Sequence, residues 1–330
     1  MTMMYTMLVG LMTVTMPAGS ADGGLSGEGE SGKSAAPHVT LQDSDSSNLE
    51  PPVTGDRPDR HMLVFNNLSA GRGNPIGLAS FVFFGYRYHL FNSESILLKP
   101  AFVEFGPQFT LTPDFLEGGL ELTVKPLAIL TFEARYMLAA HSPLLTDFQS
   151  FKTPHADYSP RRRIQRGMGD EGYRTYGGFL RLKTIFEMQL GAFAISNEFE
   201  IHRMDVALRE GDQYFYSSRW DTVFPNHGWG FANFLNLIVF TKSKFLIGLR
   251  YEVTKPFIKN HWFDNFELHQ RLGLLWGYPL IKRQRGWLRE VLGLGSVQWW
   301  LAHPYRTGRE VSQLVPYVIM GISMNGGITL

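Results

Sequence analysis

From about His61 onward, apolar and polar residues alternate with period two, and this limits what the chain can fold into. Leu120-Glu121-Leu122-Thr123-Val124-Lys125 alternates without a break. After Pro126, Leu130, Phe132, Ala134, Tyr136 and Leu138 share one face, and Thr131, Glu133 and Arg135 share the other. In Gly178 to Leu190, Leu180, Leu182, Phe186, Met188 and Leu190 oppose Arg181, Lys183, Glu187 and Gln189. Phe245, Ile247, Leu249, Tyr251 and Val253 oppose Lys244, Arg250, Glu252 and Thr254, and Leu272, Leu274 and Trp276 oppose Glu267, His269 and Arg271. Successive side chains of a strand point to opposite faces, so these segments predict amphipathic strands. No apolar stretch of this part is long enough for a membrane-spanning helix.

A soluble sandwich alternates too, with its apolar face inside. Three features favour the inverse, with the apolar face toward hydrocarbon. Several segments exceed the ~5–6 residues of ordinary strands and reach the 9–11 that cross a bilayer at a tilt. Aromatics gather near segment ends, at Tyr86, Tyr88, Tyr136, Tyr176, Trp276, Tyr278, Trp299 and Trp300, as in interfacial girdles. Short turns, expected at 92–94, 125–127, 191–192, 241–244 and 281–285, alternate with longer connections near 70–77, 107–115, 141–174, 207–228, 257–264 and 302–312.

Strands are expected near 61–69, 78–91, 95–107, 116–126, 129–140, 175–190, 193–206, 229–241, 244–256, 265–280, 285–301 and 313–326. The fold class is therefore all-β: a closed antiparallel transmembrane barrel of about twelve strands, within a range of roughly ten to fourteen. A further strand pair at 213–222 would give the upper figure, and the segments at 61–69, 95–107 and 285–301 alternate least.

Ahead of the barrel, Met1 to Met16 is apolar and small residues follow at Ala18-Gly19-Ser20-Ala21, so 1–21 reads as a signal peptide. Residues 22–60 are rich in Gly, Ser, Asp and Pro and read as a disordered tail, leaving 61–330 for the barrel. With no cysteine, disulfides and thiolate chemistry are excluded. A formal net charge of +1 argues against a nucleic-acid partner.

The signal-like start, the alternating segments and the final strand around Leu314-Val315-Pro316-Tyr317-Val318-Ile319-Met320 make the chain resemble bacterial outer-membrane β-barrels. The resemblance covers about four fifths of the chain and implies an outer-membrane location. If lipid meets the apolar faces, the opposite faces line a lumen. Glu133, Arg135, Arg181, Lys183, Glu187, Glu198, Glu200, His202, Arg250, Glu252, His269 and Arg271 are the candidate lumen-lining residues, and Glu117, Glu121, Lys125 and Glu267 share their faces. The mixture of signs does not predict a charge-selective ring. It fits an interior salt-bridge network, or a chamber in which Arg135, Arg181, Lys183 and Arg250 face a small polar or anionic solute.

The expected function is a narrow channel or binding barrel for such a solute. One alternative is a lipid-modifying hydrolase of the outer membrane, of the phospholipase or lipid A deacylase type, and another is a plugged structural or adhesive barrel. The hydrolases implied by the resemblance place His and Ser close together on one strand face. Here His-x-Ser and Gly-x-Ser-x-Gly are absent, and His202 with Glu198 and Glu200 on one strand face, which could bind a metal or serve as an acid–base pair, reads as lumen wall. No catalytic residue, metal site or cofactor is therefore assigned. In the loop 141–174, Arg161, Arg162, Arg163 and Arg166 are expected to contact lipopolysaccharide headgroups, since Arg pairs well with phosphate, or to fold inward as a constriction. Outer-membrane lipids and lipopolysaccharide are the expected partners, and the chain is expected to be a monomer.

Overall fold

The computed structural model describes residues 60–141, 148–168, 171–282 and 287–330. The expected signal peptide, and all of the expected tail except Arg60, lie outside them. In chain order the strands are β1 (His61–Gly73), β2 (Gly77–His89), β3 (Phe102–Leu111), β4 (Phe115–Leu127), β5 (Leu130–His141), β6 (Ser150–Phe151), β7 (Thr175–Leu190) and β8 (Phe193–Val206). They continue as β9 (Tyr214–Ser217), β10 (Thr222–Pro225), β11 (Gly228–Phe240), β12 (Leu246–Pro256), β13 (His269–Lys282), β14 (Leu288–Ala302) and β15 (Tyr317–Thr329). A helix α1 (Pro160–Met168) precedes β7.

Twelve strands close a barrel in the order β1-β15-β14-β13-β12-β11-β8-β7-β5-β4-β3-β2. The seam is a full antiparallel ladder from Met62 opposite Thr329 to Gly73 opposite Val318, so no edge is left unpaired. Alternation sets which way each wall side chain points. Leu120 and Leu122 are 52% and 41% exposed, while Glu121 between them is 5%. Leu182 is 39% exposed between Arg181 at 1% and Lys183 at 3%. A water-soluble barrel would show the reverse. An outer wall of exposed Leu, Phe and Tyr around a charged interior is stable only where hydrocarbon surrounds it.

Several boundaries differ from expectation. The segment expected at 95–107 is a connection up to Ala101, held by turns such as Lys99 N–H to Ser95 C=O at 2.8 Å, and the strand begins at Phe102. The turn expected at 92–94 is accordingly part of a longer connection. The connections expected to be long at 70–77 and 107–115 are short, because β1 continues to Gly73 and β3 to Leu111. Leu314 to Pro316 lie outside β15, and Glu267 lies in the loop before β13.

The possible extra wall strands at 213–222 are not in the wall. β10, β9 and β6 form a separate three-stranded sheet, because this hairpin turns into the mouth of the barrel. Its Phe215 and Phe224 pack against the inward-facing Met137, Phe179, Met204 and Phe234. Trp300, expected in an interfacial girdle, also faces inward and is 2% exposed, whereas its neighbour Trp299 faces out.

Candidate functional site

The lumen is lined by two different surfaces. On β4, β5, β7 and β8, carboxylates and bases interlock. Glu133 accepts from Lys183 Nζ at 2.8 Å, from Arg135 at 3.0 Å and from Arg181. Arg135 also pairs with Glu121, Arg181 lies 3.6 Å from Glu200, and Lys183 lies 3.9 Å from Glu198. Lys125 and Glu187 meet at 3.5 Å. On β12 and β13, Arg250 and Arg271 both donate to Glu252, which also accepts from Gln298 Nε2 at 2.9 Å. Across the barrel, β1, β2, β14 and β15 turn Leu68, Ala79, Phe81, Leu294 and Ile319 inward as an apolar cluster with Trp300 and Tyr317. Arg271 joins the two surfaces, with its guanidinium 3.9 Å from the Tyr317 ring centre and 4.7 Å from that of Trp300.

All twelve lumen-lining candidates point inward: eleven are buried, and the Arg271 side chain is 11% exposed. Glu133, Arg135, Arg181 and Lys183, with Glu198 and Glu200, form one network, and Arg250, Glu252 and Arg271 form a second. His202 sits at the edge of the first, with Nδ1 3.5 Å from Glu200 Oε1. Its ring stacks on Trp220 at 4.4 Å, neither ring nitrogen has a hydrogen-bond partner, and it is fully buried.

The mouth of the barrel holds residues that periodicity did not reveal. The tip of the β9–β10 hairpin carries Arg219, Trp220 and Asp221 into the lumen. Arg219 pairs with Glu117 of the wall, and Arg72 of β1 donates to the Ser218 carbonyl at 2.7 Å. Thr222 donates to Glu267 at 2.8 Å, and Glu267 also accepts from Tyr158. Asp221 receives Arg306 and lies 3.2 Å from His303 Nε2, both from the connection after β14. Burial alone would raise the Asp221 carboxyl, but the His303 hydrogen bond and the Arg306 charge outweigh it and hold it well below the usual range. Burial, with Glu267 beside it, pushes the Tyr158 hydroxyl well above its ordinary value.

His303 is held from both sides. Its Nδ1 accepts the Tyr305 N–H at 3.0 Å, which leaves the proton on Nε2, facing Asp221. Both ring nitrogens are therefore engaged. Cavities around the hairpin measure about 10, 20 and 30 Å³, room for no more than a water or two each. Among the described residues no group of three or more His, Asp or Glu is placed to hold a metal ion.

The four loop arginines divide. Arg161 and Arg162 are exposed on α1. Arg163 folds inward over Tyr216, 3.7 Å from the ring centre and 3.9 Å from Asp221. Arg166 donates to the Asp157 carbonyl at 2.6 Å and pairs with Glu171 at 3.3 Å. One signal in the sequence pointed toward the hairpin. Tyr214-Phe215-Tyr216 and Val223-Phe224 flank a charged tip, a density of aromatics that a solvent-exposed loop does not need.

The closed ladder, the apolar outer wall and the charged interior together decide the class. The chain folds as an outer-membrane β-barrel. No protein-family model matches it, and no curated protein matches it in sequence. Among solved structures it is similar to LpxR from Salmonella typhimurium, 11% identical, with a TM-score of 0.35, covering 79% of this chain and 99% of that one. It is also similar to a mutant of the TodX monoaromatic hydrocarbon channel, 9% identical, TM-score 0.32, covering 82% and 91%. OmpT, an outer membrane protein of Vibrio cholerae, is 7% identical, TM-score 0.31, covering 82% and 98%. Likenesses this distant say nothing of what the barrel does.

Proposed function

We propose that the barrel is plugged and does its work at its outward-facing end and outer wall, without passing solutes through a standing pore. The hairpin tip carries this reading: Arg219, Trp220 and Asp221 occupy the lumen and are each 9% exposed or less. A narrow channel for a polar or anionic solute needs charged groups that face water. Here the bases that would meet such a solute are engaged with carboxylates of the wall. A hydrolase needs a free base beside a nucleophile; His202 is held between Glu200, 3.5 Å from its Nδ1, and the Trp220 ring, and both ring nitrogens of His303 are engaged. The charged lumen supports the wall, and the loops above it form a fixed platform. Arg161 and Arg162 remain as the loop arginines available to phosphate groups of the surrounding lipid.

Planar-bilayer recording tests the reading. Folded wild-type protein is expected to give no conductance steps, and a chain lacking 214–225 is expected to give them. Steady conductance from the wild type would overturn the proposal.

A further inference from the structure

The outer wall has a hollow of about 510 Å³ across β7, β8, β11 and β12, and across β1, β2, β14 and β15 it is cut by a larger groove of about 930 Å³. Its floor follows the strand register. Tyr278 is paired with Gly293, Gly293 with Ile322, Ile322 with Ser69, Ser69 with Ser80, and Ser80 with Leu111. The four central positions of that row include one glycine and two serines, and Gly71 lies in the adjacent row beside Leu78. Trp276 and Tyr278 stand at one end of the groove, and Leu111, Thr112 and Pro113 bring the other end to the long-loop rim.

The floor is polar in composition but has no donor to spare. Asn67 Nδ2 donates to the Phe81 carbonyl at 3.0 Å and to Ser80 Oγ at 3.1 Å. Ser80 and Ser69 share a hydrogen bond of 3.0 Å, and Ser69 Oγ donates to Asn67 Oδ1 at 3.3 Å. If Ser80 is the donor to Ser69, the three side chains close a ring in which every N–H and O–H is used. Polar side chains that join neighbouring proteins within a membrane hydrogen-bond across the contact. These are turned on one another, so the surface presented is hydrocarbon-compatible. The groove is also continuous with the exposed apolar band, at Leu78, Met320 and Ile322, that already faces lipid.

We propose that this groove seats one acyl chain of a membrane lipid, held along the floor of small residues and against the Trp276 and Tyr278 rings. The site belongs to the outer wall and does not depend on whether the lumen conducts. Its test is native mass spectrometry of protein refolded into dimyristoylphosphatidylcholine vesicles and extracted into detergent. Folding of each variant is checked by its heat-dependent gel mobility. The wild type is expected to retain one lipid. Gly293→Leu fills the floor, where the atoms nearest an added Cβ, on Leu280 and the Tyr278 carbonyl, lie at 3.6 Å or more, and it is expected to lose that lipid. Ile322→Trp, on an outward position 45% exposed, is expected to lose it as well, and decides the matter should Gly293→Leu fail to fold. Leu120→Trp, remote on the wall, is expected to keep it. Retention by both folded groove variants, a lipid-free wild type, or a two-chain species in place of the adduct would each overturn the proposal.

Discussion

The two sides of the lumen reach the same end by different physics. On β4, β5, β7 and β8 the interior is closed by charge: Glu133 alone gathers Arg135, Arg181 and Lys183. On β1, β2, β14 and β15 it is closed by shape, with Leu68, Phe81 and Ile319 packed against Trp300 and Tyr317. Buried ion pairs contribute little net stability because desolvation offsets their attraction, yet losing one partner is costly. Apolar packing contributes in proportion to the contact it makes. The charged side thus specifies an arrangement, while the apolar side supplies cohesion.

The largest expected effect comes from breaking the charged side at its centre. Glu133→Ala takes the shared carboxylate from three buried bases, leaving Arg135 to Glu121, Arg181 to Glu200 and Lys183 to Glu198, and should cost about 3–5 kcal/mol in urea-induced unfolding from lipid vesicles. Were these groups in a water-filled pore, the loss would stay below about 1 kcal/mol, as for exposed pairs. Leu68→Ala, on the apolar side, should cost about 2–5 kcal/mol by leaving a cavity. Next comes the outer wall. Leu182→Arg should cost roughly 2–4 kcal/mol if that site lies near the bilayer midplane, and a change near zero would place it outside hydrocarbon. A smaller effect is expected at the plug. Asp221→Asn weakens a charged hydrogen bond to Arg306 and should loosen the hairpin by about 1.5–3 kcal/mol, read as faster proteolysis within 207–227.

The mildest test is acid. Burial first, and then His269, lower the His303 pKa to about 4, with Asp221 and Arg306 the other charges facing it. An unfolded chain takes up a proton there below pH ~6.5, whereas the folded plug does so only near pH 4. Plug stability should therefore decline as pH falls through that window, and Asp221 adds to the loss below about pH 5, where it starts to protonate in the unfolded chain. Proteolysis at 207–227 should rise between pH 6.5 and 4 in the wild type, and His303→Gln should flatten that rise. An equal rise in both would remove His303 from the account.

This division also explains what the sequence made legible. Where the inner face is charged, as in β7 and β12, alternation marked the strand and the inward set together, because the two solvents differ in polarity. Where the inner face is apolar, both faces read alike. Leu63 and Val64 of β1 are both apolar, yet one is 47% exposed and the other 6%, and the contrast that drives period-two reading disappears. The same holds for β14, where Trp299 and Trp300 look identical in sequence and face opposite ways. The plug was not legible for another reason. β9 and β10 are four residues each, too short for a period to register, and Asp221 finds Arg306 and His303 across more than eighty positions of chain.

An inside-out wall requires Leu182, Leu249 and Leu120, each 39% exposed or more, to face hydrocarbon. Because the chain has no cysteine, Leu182→Cys, Leu249→Cys and Leu120→Cys each offer a single site for a nitroxide label in the vesicle-bound protein. The account predicts frequent collisions with membrane-dissolved oxygen and few with a water-soluble nickel complex at all three. Labels shielded from oxygen, or equally open to the nickel complex, would contradict it.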